Sequence, residues 1–169
     1  RDSFNEARRP FRWDVQMSGT RLAQNVGAWW CRQMEGRPTQ FAGTRNSLEN
    51  LNGRPRVLGV ISTNDPENQA TVEVDLAAAL AGCGAGFGQK TYFYAQDITT
   101  ADQQRRAAVL RMRQSPGHAG ASGPATSVLC LCDLVAPAFL YAEEQTQNYY
   151  PENIIGGTGL MDGDVAAQA

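Results

Sequence analysis

Lysine and histidine are almost missing from this chain. Within a Lys+Arg total of 15 the only lysine is Lys90, and His118 is the single histidine. A lone histidine in a Gly/Pro-rich stretch gives no Ser-His-Asp or Cys-His arrangement to build on, and a zinc site would need more N or S ligands at CxxC-like spacing. Neither centre is expected, and no cofactor is implied. Long apolar runs are also missing: no stretch of about 18 apolar residues occurs, so no membrane-spanning helix is expected. A formal net charge of −2 leaves no general attraction for polyanions, so nucleic acid is not an expected partner. The cluster Arg105, Arg106, Arg111 and Arg113 reads as the solvated face of a helix. The chain opens at Arg1 with Asp2, Asn5 and Glu6 close behind, which is no charged-then-apolar leader and suggests a processed or excised piece.

What is present fits one globular core: 169 residues, 42% apolar and 19% charged. The chain is organised around residues 56–83, RVLGVISTNDPENQATVEVDLAAALAGC. Val57, Leu58, Val60 and Ile61 form a short β-branched run without polar alternation, as in a parallel strand buried on both faces. Ser62, Thr63 and Asn64 then turn the chain, with Asp65 suited to an N-cap and Pro66 to the first helical position. Val72, Leu76, Leu80 and Cys83 recur at helical spacing. A strand feeding a helix through a polar loop is half of a βαβ unit, and in an open parallel sheet that loop lies on the rim where ligands bind.

Residues 1–17 read as a connector, including an alternating stretch at 11–17, and residues 18–169 as one α/β unit. Ser18 or Thr20 caps a helix to about Glu35, with Leu22, Val26, Trp29, Trp30 and Met34 near its apolar side. Residues 37–55 have no period and form a long loop, either functional or loosely held. A strand at 91–95, a helix opened by Thr100 with Gln103 and carrying Ala108, Val109 and Met112 inward, and a Gly/Pro/Ser loop at 114–125 follow. A strand at 126–132 ends before Asp133. The helix at 136–147 carries Phe139, Ala142 and Thr146 along one stripe, and a short strand at 153–156 comes last. The alternation predicts a three-layer α/β sandwich: a mainly parallel sheet of about four or five strands with helices on both faces.

The four cysteines allow three pairings. Cys130 and Cys132 lie two apart on one strand, at a separation that does not suit a bridge. Cys31 and Cys83 both end helices that lead toward parallel strands, so they can meet at one edge of the sheet. That bridge would close a loop of about 50 residues, worth on the order of 3 to 4 kcal/mol in the chain-entropy model, and would place the protein outside the cytosol. Four buried free thiols is the competing reading. The glycines at 82–88 follow a helix and miss GxGxxG spacing, Ser122 misses the GxSxG elbow, and Asp162-Gly-Asp164 is too short for a calcium loop.

The order RVLGVISTNDPENQ, a helix ending in AGCG, YFYAQDITTADQQ, TSVLCLCD and YYPENIIGGTGLMD resembles one lobe, the second, of type I periplasmic solute-binding proteins. Within that class it is most similar to receptors of branched-chain amino acid and amide ABC transporters, over about residues 11–161. The resemblance implies non-catalytic binding of a small polar, amino-acid-like solute by closure of two lobes, outside the cytoplasm, with a missing first lobe and an ABC permease as partners. It also implies ligand contacts from the loops after the strands: Asn64, Asp65 and Asn68 after the first, Asp97 after the second, Asp133 after the third, and Thr158, with Asp162 beyond it, after the fourth. Glu67 and Asn68 depart from the family's DP-aromatic-Gly turn. Asp65 and Asp133 read first as helix caps, and Asp97 and Thr158, which have no equally good structural explanation, are the stronger ligand contacts.

Two other readings stand beside this one. The first is an interaction or sensing module that has lost ligand binding and holds a protein partner through the 37–55 loop and exposed arginines. The second is a flavodoxin-like enzyme, against which the acidic Asn-Asp-Pro-Glu turn argues by repelling phosphate.

Overall fold

The apolar run after Arg56 becomes the central strand of a parallel sheet. The structure, a computed structural model, describes residues 17–43, 50–87, 91–114, 123–133 and 135–156 together with Asp2, Glu6 and Ala7. Strand β1 (Leu58–Thr63) is buried at every position. With β2 (Thr91–Tyr94), β3 (Ser127–Leu131) and β4 (Glu152–Ile155) it forms a sheet of order β2-β1-β3-β4 in which every pairing is parallel.

Successive side chains of a strand point to opposite faces, so β1 and β3 each feed two cores. Leu58, Val60, Leu129 and Leu131 face one way. Ile61, Val128 and Cys130 face the other. The first face is covered by α1 (Gly19–Gln33) and by α2, which runs through Pro66–Ala70, Thr71–Leu76 and Ala77–Ala81, its middle portion π-helical. The second is covered by α3 (Ile98–Gln114) and α4 (Ala136–Thr146). The connection β1-α2-β2 runs to one side of β1, whereas β2-α3-β3 crosses back over it. Right-handed crossovers in opposite directions put their helices on opposite faces, which makes the three layers.

Local chemistry starts the helices where the sequence places them. The Ser18 hydroxyl accepts the Arg21 N–H at 3.3 Å, and Asp65 accepts that of Asn68 at 2.9 Å with Pro66 next in line. Val72, Leu76 and Leu80 are fully buried, as their spacing predicts.

Helices α1 and α2 run parallel and in register. A Cβ on Gly19 would fall on the Thr71 side chain, a Cβ on Gly27 would lie 2.5 Å from Ala79 Cβ, and Cys31 is bridged to Cys83 with 5.9 Å between Cα atoms. All three pairs share the disulfide's sequence separation of 52. The bridge therefore fastens the ends of two helices already seated on one another, and the free-thiol reading is overturned.

Two expectations are corrected. On α4 the stripe Phe139, Ala142 and Thr146 faces outward, and the buried positions are Ala136, Pro137, Leu140 and Glu144. An acidic residue on the inner face disguised it. Of the arginines assigned to a solvated face, Arg105 packs on Phe139 and Arg113 donates to the Gln147 carbonyl at 3.2 Å.

The described part of the 37–55 loop is held in place. Pro38 and Pro55 form an antiparallel bridge, and Thr39, Ala42 and Leu51 are buried.

Candidate functional site

In a sheet of this order the connections diverge between β1 and β3, and the carboxyl ends of the strands there border the crevice where α/β folds take ligands. Four loop regions meet that edge, and their polar residues do different work.

After β1, Thr63, Asp65 and Asn68 close on one another. The Thr63 hydroxyl donates to Asp65 Oδ2 at 2.5 Å, while Asn68 Nδ2 donates to Thr63 Oγ1 at 2.6 Å and to Asp65 Oδ2 at 2.7 Å. Burial works to raise the Asp65 carboxyl, but the hydrogen bonds from Thr63 and Asn68 overcome it and hold the group below its usual range. Asn64 is exposed, with its backbone N–H bonded to the Tyr94 carbonyl at 2.8 Å. Beyond β2, Asp97 lies exposed on the rim and accepts the Thr100 hydroxyl at the start of α3. Thr158 and Asp162 lie outside the described residues, as do residues 1–16 apart from Asp2, Glu6 and Ala7.

After β3, Asp133 has two tasks. Its Oδ1 accepts the N–H groups of Val135 and Ala136, each at 2.9 Å, and so caps α4. Its Oδ2 accepts the Tyr94 hydroxyl at 2.8 Å, tying β2 to β3 across the end of β1. Burial, together with the adjacent Asp133 carboxylate, pushes the Tyr94 phenol above its usual range, so Tyr94 stays a donor.

Between α3 and α4 at this edge lies a cavity of about 540 Å³. Its floor is apolar, made by Ile61, the Tyr94 ring, Ala108 and Leu140. Polar groups stand around the floor: Asp133 on one side, Gln96, Gln104 and Arg105 on the other. Gln104 Oε1 accepts the Ala95 N–H at 2.6 Å, so the amide N–H groups are what Gln104 can offer a guest. The guanidinium carbon of Arg105 sits 4.0 Å over the centre of the Phe139 ring, forming a cationic and aromatic lip. Cavities of this size with an apolar lining and a few convergent polar groups are typical of small-molecule sites.

Of the residues predicted from sequence, the structure brings Asp133 to the cavity and leaves Asn64, Asp65, Asn68 and Asp97 on the same edge outside it. Sequence reasoning missed Tyr94, Gln104, Arg105 and Phe139. Gln104 and Arg105 lie nearly two turns into α3 and Phe139 on the outward face of α4, so only the packing angle of the two helices converges them. Among the described residues no group of His, Cys, Asp and Glu can hold a metal ion, and no helix is long and apolar enough to cross a membrane. No family model, curated protein or solved structure matches this chain.

Proposed function

We propose that this chain is a ligand-holding lobe that grips a small molecule at the carboxyl edge of its sheet without transforming it, as half of a two-lobed, extracytoplasmic solute receptor. The observation that carries the reading is the cavity itself: an apolar floor, with Asp133 facing Gln104 and Arg105 across it, at the point where the sheet connections diverge. Such a pocket suits a solute with a compact apolar body and a polar or zwitterionic end, the carboxylate side meeting Arg105 and Gln104 and any amino group meeting Asp133. The order of sequence segments resembling type I solute-binding proteins supports it. The Cys31–Cys83 bridge supports an oxidising compartment. A second lobe would close over the rim, and an ABC permease would receive the solute.

The test is a thermal-shift screen, followed by calorimetry, of the two-lobed full-length protein against amino acids, amides and small organic acids. Stabilisation by one class, weakened by Arg105→Ala, is the expected result. No stabilisation by any class would overturn the reading.

One observation favours the alternative of an interaction module: the loop after β1 is filled by its own side chains, Thr63, Asp65 and Asn68. In that case ligand screens stay silent and a protein partner covers the same edge.

A further inference from the structure

We infer that the cavity takes an apolar monocarboxylate, an aliphatic or aromatic acid with no amino group beside its carboxylate, and discriminates against the amino acid of the same skeleton. The inference rests on the proposed reading of the cavity as a ligand site and narrows it to one class of solute.

A guest that leaves water needs a partner for each polar group it carries, because a donor or acceptor buried unpaired costs more than the bond would have gained. What the wall has left to offer therefore selects the guest. The acceptors at this edge are engaged by the protein's own donors. Asp133 takes the N–H groups of Val135 and Ala136 on Oδ1 and the Tyr94 hydroxyl on Oδ2. That hydroxyl, its one proton given to Asp133, accepts the Asp133 N–H at 3.1 Å, which leaves the ring as what Tyr94 offers a guest. Gln104 Oε1 is taken by the Ala95 N–H. Outside the cavity, Asp65 is bonded to Thr63 and Asn68, and Asp97 to Thr100.

The donors are placed differently. With its oxygen held by the backbone, Gln104 presents amide N–H groups. Arg105, the next residue on α3, lies with its guanidinium carbon 4.0 Å over the Phe139 ring. Stacking of this kind uses the flat face of the guanidinium, whereas its N–H donors lie in the plane, in the fork geometry that grips a carboxylate with two parallel bonds. A carboxylate held by Gln104 and Arg105 leaves the hydrocarbon body of the guest over Ile61, Ala108 and Leu140.

An amino group changes the balance. In an α-amino acid it sits one carbon from the carboxylate, so gripping the carboxylate at Arg105 holds the ammonium beside a second cation. The carboxylate that could receive it, Asp133, lies on the other side of the cavity and already carries three bonds. To take an ammonium, Asp133 would have to share the Tyr94 bond that ties β2 to β3 or the bonds that cap α4. The acid without an amino group leaves nothing unpaired.

The experiment is calorimetry on the full-length protein with 3-phenylpropanoate and 4-methylpentanoate, set against phenylalanine and leucine, which add only the α-amino group, and against 3-phenylpropanamide, which removes the charge. Each acid is expected to bind at least about tenfold tighter than its amino acid and than the amide. Arg105→Gln, on a half-buried side chain whose loss the fold tolerates, should weaken the acids about tenfold or more and the amide less than about threefold. Amino acids that bind as tightly as the acids would overturn this inference and leave the ligand-site reading standing. Acids that bind the parent and Arg105→Gln equally would overturn it as well, since the carboxylate would then be held elsewhere. Silence from all five compounds overturns it too, and the ligand-site reading falls with it only if the wider screen of amides and organic acids is also silent.

Discussion

The Arg56 guanidinium and the Glu152 carboxylate, 96 residues apart in the chain, meet at 2.8 Å with each side chain only 5% exposed. Glu152 takes a second bond from Arg56 Nη2 at 3.0 Å, the N–H groups of Gln40 and Phe41 at 2.6 and 3.0 Å, and the Ser127 hydroxyl at 2.9 Å. One carboxylate thus ties the loop after α1 to the start of β1, β3 and β4. Burial works to raise the Glu152 carboxyl, but Arg56 and the three other donors overcome it and bring it down to about 2.

Glu152→Gln leaves the Arg56 charge buried without its partner, so it should destabilise the fold by about 3 kcal/mol. The pH dependence follows from the sign of the shift. A depressed carboxyl contributes stability above its unfolded value, near 4.5, and loses it as pH falls toward 2. Urea melts from pH 5 to pH 2 should show this acid limb in the parent protein and a flatter one in Glu152→Gln. An equal slope in both would refute the assignment.

Glu144 is the opposite case. It is 4% exposed on the inner face of α4, and burial pushes its carboxyl up to about 8, against a single hydrogen bond from Asn153 Nδ2 at 2.7 Å. The folded state keeps the proton that the unfolded chain releases near 4.5, so stability is full below that pH and falls as pH rises toward 8. Glu144→Gln should match the parent at pH 4 and exceed it at pH 8 by roughly 4 kcal/mol. Paired denaturant titrations at the two pH values check it.

Phe139 stands 45% exposed at the mouth of the cavity beneath Arg105. Phe139→Ala should cost about 1 kcal/mol of stability, since it removes a partly exposed ring and one cation–π contact. It should weaken a cavity ligand roughly tenfold, as the loss of an aromatic wall does in a small-molecule site. Calorimetry with the ligand found by screening separates the two effects.

Gly27→Ala places a methyl group 2.5 Å from Ala79 Cβ and must push α1 off α2. A cost of about 1–3 kcal/mol is expected, as for other overpacked contacts. Adding Ala79→Gly should recover part of it, less the roughly 1 kcal/mol that glycine loses inside a helix. A double-mutant cycle on melting free energies reads the coupling, and strict additivity would show that the two helices do not touch there.

The layers are legible in the sequence because the signals for them are local. The β-branched run at residues 57–61, Asp65 and Pro66 at a helix start, and Val72, Leu76 and Leu80 at helical spacing are short-range patterns, each decided by neighbours along the chain. They carry the parallel α/β sandwich and the meeting of Cys31 with Cys83 at one edge. The inner face of α4 is hidden because Glu144 occupies it, and its burial is acceptable only with Asn153 brought over from β4. The grip of Glu152 on the 37–55 loop is hidden for the same reason.

The chain by itself determined which segments extend, which coil and where α1, α2 and α4 are capped, because those outcomes depend on residues a few positions apart; α3 starts at Ile98, two residues before the Thr100 cap that the sequence suggests. Tertiary structure alone decided the cavity and the buried charges: Arg105 and Phe139, or Arg56 and Glu152, become neighbours only when helices pack at a particular angle and strands align in a particular register.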